Sequence, residues 1–162
     1  QWSADVFDEF SGWFCGKTSP VQLFWHSFDL AVTRFSGRRA PAMPWADPVT
    51  AEAYSHEVVS FGFWAGDDAT RFPAYYSYTA PEPPGLREQP IRPAPGAAWV
   101  EQRGGSLAVL PYDDVRTSGD PRATLLDFLQ STYEAGAGLA GWDLEDTRTD
   151  WCPILPIGDL RG

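Results

Sequence analysis

The sequence predicts an α+β fold: an antiparallel sheet of about five strands with an N-terminal and a C-terminal helix packed on it. Three observations carry this prediction. Apolar residues recur at helical spacing near both ends of the chain, period-two alternation runs between them, and the order helix, strands, helix suits a sheet whose helices are segregated to one face. With 162 residues, one domain spanning 1–162 suffices, and a chain of this size buries roughly 70% of its unfolded surface.

Residues 2 to 15 read as the first helix. Ser3 is its expected N-cap, Asp5 falls in the first turn, and Trp2 is placed to staple against Phe7. Val6, Phe7, Phe10, Trp13 and Phe14 form one apolar side, and Gly16 is the expected left-handed stop. Beyond Pro20, Phe28, Leu30 and Val32 alternate with Asp29, Ala31 and Thr33 as far as Ser36-Gly37, the pattern of a strand. Residues 37 to 53 carry Pro41, Pro44 and Pro48 and read as a long loop around Trp45. A second strand is expected from Ser55 to Trp64 and a third from Ala74 to Thr79. Pro81, Pro83, Pro84, Pro90, Pro93 and Pro95 cannot donate ladder hydrogen bonds, so residues 80 to 96 are an extended connector. The fourth and fifth strands, Ala97 to Gln102 and Leu107 to Leu110, flank Arg103-Gly104-Gly105-Ser106, whose glycine pair suits a tight hairpin turn. Asp120 then caps a helix opening at Pro121, with Leu125, Phe128, Leu129, Thr132 and Tyr133 on one face and Gly141 as terminator. Residues 144–162 read as an irregular tail.

Twelve basic against 22 acidic side chains give a net charge of −10. A nucleic-acid backbone or an anionic membrane is repelled by such a chain, so neither is an expected partner. No apolar run approaches the roughly 18 residues of a membrane span. No signal-peptide pattern opens the chain, which makes the cytoplasm the expected location, and the first residue, Gln1, marks a processed or partial chain. Lys17 is the only lysine beside eleven arginines, and Asn is absent, the composition of a GC-rich coding genome. Cys15 and Cys152 could staple the two ends in an oxidising compartment; two buried thiols in a reducing one is the preferred reading.

Several motifs dissolve on inspection. Gly16-Lys17-Thr18 suggests a phosphate loop, but the first glycine of that motif falls on Ser11 and the order of elements is wrong. The two histidines, His26 and His56, stand at no characteristic ligand spacing from Cys15, Cys152, Asp29 or Glu57, so no metal is expected. No Gly-x-Ser-x-Gly occurs, and no motif assigns a cofactor. Tyr54-Ser55-His56-Glu57 is more informative, because alternation at the start of a strand puts Tyr54 and His56 on one face and Ser55 and Glu57 on the other. His56 is then the candidate acid/base of the chain, against the plainer reading of a surface histidine at a strand end. Arg34 continues the apolar face of Phe28, Leu30 and Val32, and a buried guanidinium needs a partner. That partner is either an internal carboxylate, from Glu57, Glu82 or Asp113, or an anionic ligand clamped by Arg34, Arg38 and Arg39. Tyr76 and Tyr78 share one face of the third strand, with Tyr75 on the other.

The stretches Gly16 to Val21, Phe24-Trp25, Phe28 to Arg38, Glu52 to Glu57, Leu110-Pro111-Tyr112-Asp113 and Leu125 to Asp143 together resemble a bacterial domain-of-unknown-function family. The resemblance covers about Phe10 to Asp143. It implies members about twice this length, with an N-terminal half repeating the same order of elements, and hence that this chain corresponds to the C-terminal half. A site at the junction of two halves would then be incomplete here. The resemblance implies no chemistry, although His56 falls inside a matching motif and His26 does not.

The function expected from these residues is binding of a small anionic or aromatic molecule. Arg34, Arg38, Tyr54, Glu57, Tyr76 and Tyr78 are the expected ligand contacts, and His56 is the candidate catalytic group, oriented by Glu82 or by Glu57 of a neighbouring chain. Whether the molecule is turned over is left open. Two other classes compete: an interaction module packing its aromatic surface against a missing half or a second copy, and a secreted carbohydrate-binding module, the class that acidic, Trp-rich composition also fits.

Overall fold

The computed structural model describes residues 1–144 apart from Met43, Trp45, Ala69, Arg103 and Gly104. The first helix, α1 (Trp2–Gly12), starts at Gln1, whose side chain does not cap the helix N–H groups but donates from Nε2 to Asp5 Oδ1 at 2.7 Å. Ser3 is not the cap: it lies within the helix, and its Oγ meets the Tyr75 hydroxyl at 2.9 Å. Val6, Phe7 and Phe10 are buried as predicted, whereas Trp2 and Trp13 stay exposed. The helix closes on Trp13 at φ −82° rather than on Gly16. Gly16 serves a different purpose: a Cβ there would collide with the Phe14 ring.

The sheet has six strands, all antiparallel: β1 (Gln22–Phe24), β2 (Asp29–Arg39), β3 (His56–Trp64), β4 (Ala74–Ala80), β5 (Ala98–Gln102) and β6 (Gly105–Pro111). Their spatial order is β1-β2-β3-β4-β6-β5. The additional strand, β1, is three residues long, too short to display an alternation. The turn joining it to β2 passes through Phe28, which has a left-handed φ of 53° and is 61% exposed. Phe28 therefore belongs to a turn and not to the strand interior that its spacing suggested.

Two short helices were also invisible as patterns. Within the expected 37–53 loop, α2 (Pro48–Ala53) is capped by Asp47, whose Oδ1 accepts from Val49 and Thr50 N–H at 2.9 and 3.1 Å. The α3 helix (Tyr112–Arg116) follows β6 directly. The long helix α4 (Pro121–Leu139) matches its signals: Asp120 accepts from Ala123 N–H at 3.0 Å, and Gly141 takes a left-handed φ of 66° just past its end. Trp45, the Arg103-Gly104 turn and Cys152, and with it any Cys15–Cys152 bridge, lie outside the described residues.

Both long helices lie on one face of the sheet. Phe7 and Phe10 of α1 and Leu125, Phe128 and Leu129 of α4 close over Val32, Val59, Phe61, Tyr75 and Leu110. Each such side chain contributes about 1.5–3 kcal/mol on burial. Close approach of α4 depends on Gly136, where a Cβ would run into Thr79 of β4. No described helix is long and apolar enough to cross a membrane.

Candidate site on the tyrosine face of the sheet

The alternation of β4 sends Tyr75, Ser77 and Thr79 toward the helices and Tyr76 and Tyr78 to the opposite face. Tyr76 is registered against Gly62 of β3, and Gly62 against Ala31 of β2. Because Gly62 has no side chain, the Tyr76 ring lies down over it, on the spot a Cβ would occupy. The ring thereby crosses β3, and its hydroxyl donates to one carboxylate oxygen of Asp29 on β2. Ser27 Oγ donates to the other. Tyr78 stacks beside Tyr76 at 6.3 Å between centroids and 11° between planes. Tyr54, immediately after α2, brings its hydroxyl to 3.2 Å from that of Tyr78, with the rings 6.4 Å apart and tilted by 48°. Thr33 and Ser60 join their hydroxyls at 3.0 Å in the same row as Tyr78.

Burial and neighbouring groups keep the Tyr76 and Tyr78 phenols neutral. Burial above all, then the bond to Asp29 and its negative charge, lifts the Tyr76 hydroxyl far above the ordinary phenol range. Tyr78 is lifted by burial and then by Tyr54. Asp29 itself is only 7% exposed. Its side-chain donors are two hydroxyls, and no cation pairs with it among the described residues.

The predicted site residues divide into two groups. Tyr54, Tyr76 and Tyr78 are brought together. Arg34, Arg38 and Glu57 are held elsewhere, on the helix side and at the end of α4. Arg34 is 2% exposed and meets none of the three carboxylates proposed for it: Glu57 binds Arg38, Glu82 binds Ser106, and Asp113 binds Arg116. Instead its Nη2 donates to the Phe10 carbonyl at 2.5 Å, its guanidinium lies 3.6 Å from the Phe10 ring centroid and 4.5 Å from that of Tyr133, and its Nε is buried without a partner. Burial lowers its pKa from 12.5 to about 9, which leaves it a cation at neutral pH. Arg38 donates to Glu57 at 2.7 and 2.9 Å and to the carbonyls of Ala140 and Gly141 at 2.5 and 3.1 Å. Glu57 also accepts from Trp142 Nε1 at 3.0 Å. This network closes the C-terminal end of α4, where backbone carbonyls lack helical partners.

His56 opens β3 and shares the parity of Ser60 and Gly62 on the tyrosine face, while its Nδ1 lies 3.1 Å from Ser55 Oγ. Glu82, the orienting carboxylate expected within the chain, does not serve it. Glu57 of the same chain points to the other side, into the Arg38 network, and Glu82 accepts from Ser106. Among the described residues no group of three or more His, Cys, Asp or Glu side chains could hold a metal ion. A shallow depression of about 400 Å³ bordered by Glu82, Leu86, Arg87, Glu88 and Gly105 lies elsewhere, and of its two carboxylates Glu82 is committed to the β5–β6 hairpin.

Sequence reasoning missed Asp29 and Gly62 as members of the site. Their parity with Tyr76 was readable, but which residues of three strands stand opposite one another was not. No curated protein and no solved structure matches the chain. A family model does match residues 1–149, covering every element described above and reaching further toward the N-terminus than the resemblance that began near Phe10. On that match the chain belongs to the family of unknown function DUF5996.

Proposed function

We propose that this domain binds a small aromatic or planar molecule on the tyrosine face, with Tyr54, Tyr76 and Tyr78 as the contact rings. The observation that carries the reading is the near-parallel pair Tyr76–Tyr78, one ring backed by Gly62 and the pair flanked by Tyr54, on the face opposite the long helices. Offset stacking on such rings contributes about 0.5–1.5 kcal/mol per pair beyond area burial. An anionic ligand has less support, because Arg34 is enclosed by rings and Arg38 is engaged by Glu57 and the end of α4. A binding role is also favoured over turnover by His56, whose Nδ1 meets Ser55 Oγ rather than the Glu82 carboxylate expected to orient it. Saturation-transfer NMR with indole and phenol as probes tests the reading. Transfer that weakens severalfold in Tyr54→Ala, a peripheral substitution, supports it. No transfer to the wild-type domain, or transfer indifferent to Tyr54→Ala, overturns it.

A second reading has its own observation. From Pro20 to Phe28 no Asp, Glu, Lys or Arg occurs, and Leu23, Phe24, Trp25 and Phe28 are exposed, Trp25 by 80%. Their hairpin forms an edge of the sheet, and edge strands are normally guarded by charge. This supports an interaction module in which β1 pairs with β1 of a second copy, an approach that brings two hairpins free of carboxylates together although each chain carries −10. Sedimentation equilibrium showing a strict monomer at NMR concentrations would remove it.

A further inference from the structure

The carboxylate at the end of the tyrosine pair sets the chemistry of the ligand. Asp29 is almost wholly enclosed, and its side-chain partners are the neutral hydroxyls of Ser27 and Tyr76. A buried carboxylate is costly without a counter-charge. Among the described residues no cation supplies one. Arg34 emerges on the opposite face of β2 and is enclosed by Phe10, Phe14 and Tyr133. Lys17 reaches the same face but stacks at 5.1 Å on Phe35, six residues along β2 from Asp29 and therefore about 20 Å away at strand spacing. The remaining described ion pairs involve other carboxylates. A metal ion lacks a ligand set here, since no cluster of three metal-binding side chains occurs among the described residues. This unpaired charge sits at the hydroxyl end of Tyr76, whose ring is stacked with that of Tyr78; the negative quadrupole of such ring faces attracts cations, and the −10 of the whole chain draws cations toward the surface.

We infer that the tyrosine face takes a small organic cation, an alkylammonium or quaternary ammonium head group seated on the Tyr76–Tyr78 rings with Asp29 as its counter-charge. This rests on the binding reading above and narrows it to a ligand class. The test is titration calorimetry of the whole chain with choline and with 3,3-dimethyl-1-butanol, its uncharged isostere, with indole as a third probe. Choline is expected to bind on the order of tenfold more tightly than the isostere, and its affinity to fall as salt is raised. Asp29→Asn, whose carbonyl oxygen can accept from one of the two hydroxyls while its NH2 donates to the other, is expected to bring choline down to the level of the isostere while indole still binds. Should Asp29→Asn fail to fold, the wild-type ratio and its salt dependence decide the matter. Indole binding with choline no better than its isostere overturns the cation and leaves the aromatic site standing. Failure of indole and choline alike removes the site itself.

Discussion

Replacing Arg34 by methionine and by alanine separates the charge of this side chain from its volume. The guanidinium is 2% exposed, donates once to the Phe10 carbonyl, and sits among the rings of Phe10, Tyr133, Phe14 and Phe61. Lowering its pKa from 12.5 to about 9 corresponds to roughly 5 kcal/mol by which burial favours a neutral group over a charged one. Against this stand about 2 kcal/mol of desolvated cation–π attraction and about 1.5–3 kcal/mol for a hydrogen bond from a charged donor. The two sides nearly cancel, so Arg34→Met, which keeps the stem and most of the volume, is expected within about 1 kcal/mol of the wild type. Arg34→Ala empties a large site in the core and is expected to lose about 3–5 kcal/mol, a fall in Tm on the order of 10 °C for a chain of this length. Urea unfolding followed by tryptophan fluorescence measures both. If the methionine variant loses as much as the alanine variant, the cation itself holds α1, β2 and α4 together and the cancellation above is refuted.

Three further outcomes are expected. Gly136→Ala gains about 1 kcal/mol of helix propensity yet collides with Thr79, so a net loss of about 1–3 kcal/mol is expected, relieved in the Gly136→Ala, Thr79→Ala double variant when both are compared by thermal unfolding. Glu57→Ala strips Arg38 and Trp142 of their shared acceptor; amide hydrogen exchange in the last turn of α4 is expected to accelerate, with a stability loss of about 1–3 kcal/mol. Tyr75, Tyr76 and Tyr78 all have folded pKa values raised above the free-phenol value of 10.0, Tyr75 to about 12 through burial. The stability they contribute is complete below pH 10 and is lost as pH rises from 10 through 12, because only the unfolded chain releases those protons. Phenolate absorbance that rises for these three only together with unfolding checks this, and ionisation near pH 10 in the intact fold contradicts it.

Much of the architecture was legible because it rests on local patterns. Asp120-Pro121 announced α4, the alternation of Ser55 to Trp64 and of Ala74 to Thr79 announced β3 and β4, and the parity of Tyr75 against Tyr76 and Tyr78 was correct. Elements shorter than two periods escaped: β1, α2 and α3 offer too few residues for alternation or helical spacing to accumulate. Ser3 and Gly16 carried valid helix-end signals that tertiary contacts took over, with Tyr75 claiming the hydroxyl and the Phe14 ring the space beside the glycine.

The sequence by itself determined that a sheet would carry helices on one face, that Arg34 would emerge among apolar side chains, and that two tyrosines would share the other face. Each follows from a repeat of two or 3.6 residues within one segment. Strand order and register belong to the tertiary structure, and they alone lay Tyr76 over Gly62 and onto Asp29, three residues from three strands. They also gave Arg34 a carbonyl and aromatic faces in place of a carboxylate, and took Arg38 and Glu57 away to the end of α4. Periodicity fixes which way a side chain points, whereas what it meets there depends on long-range pairing that no local window contains.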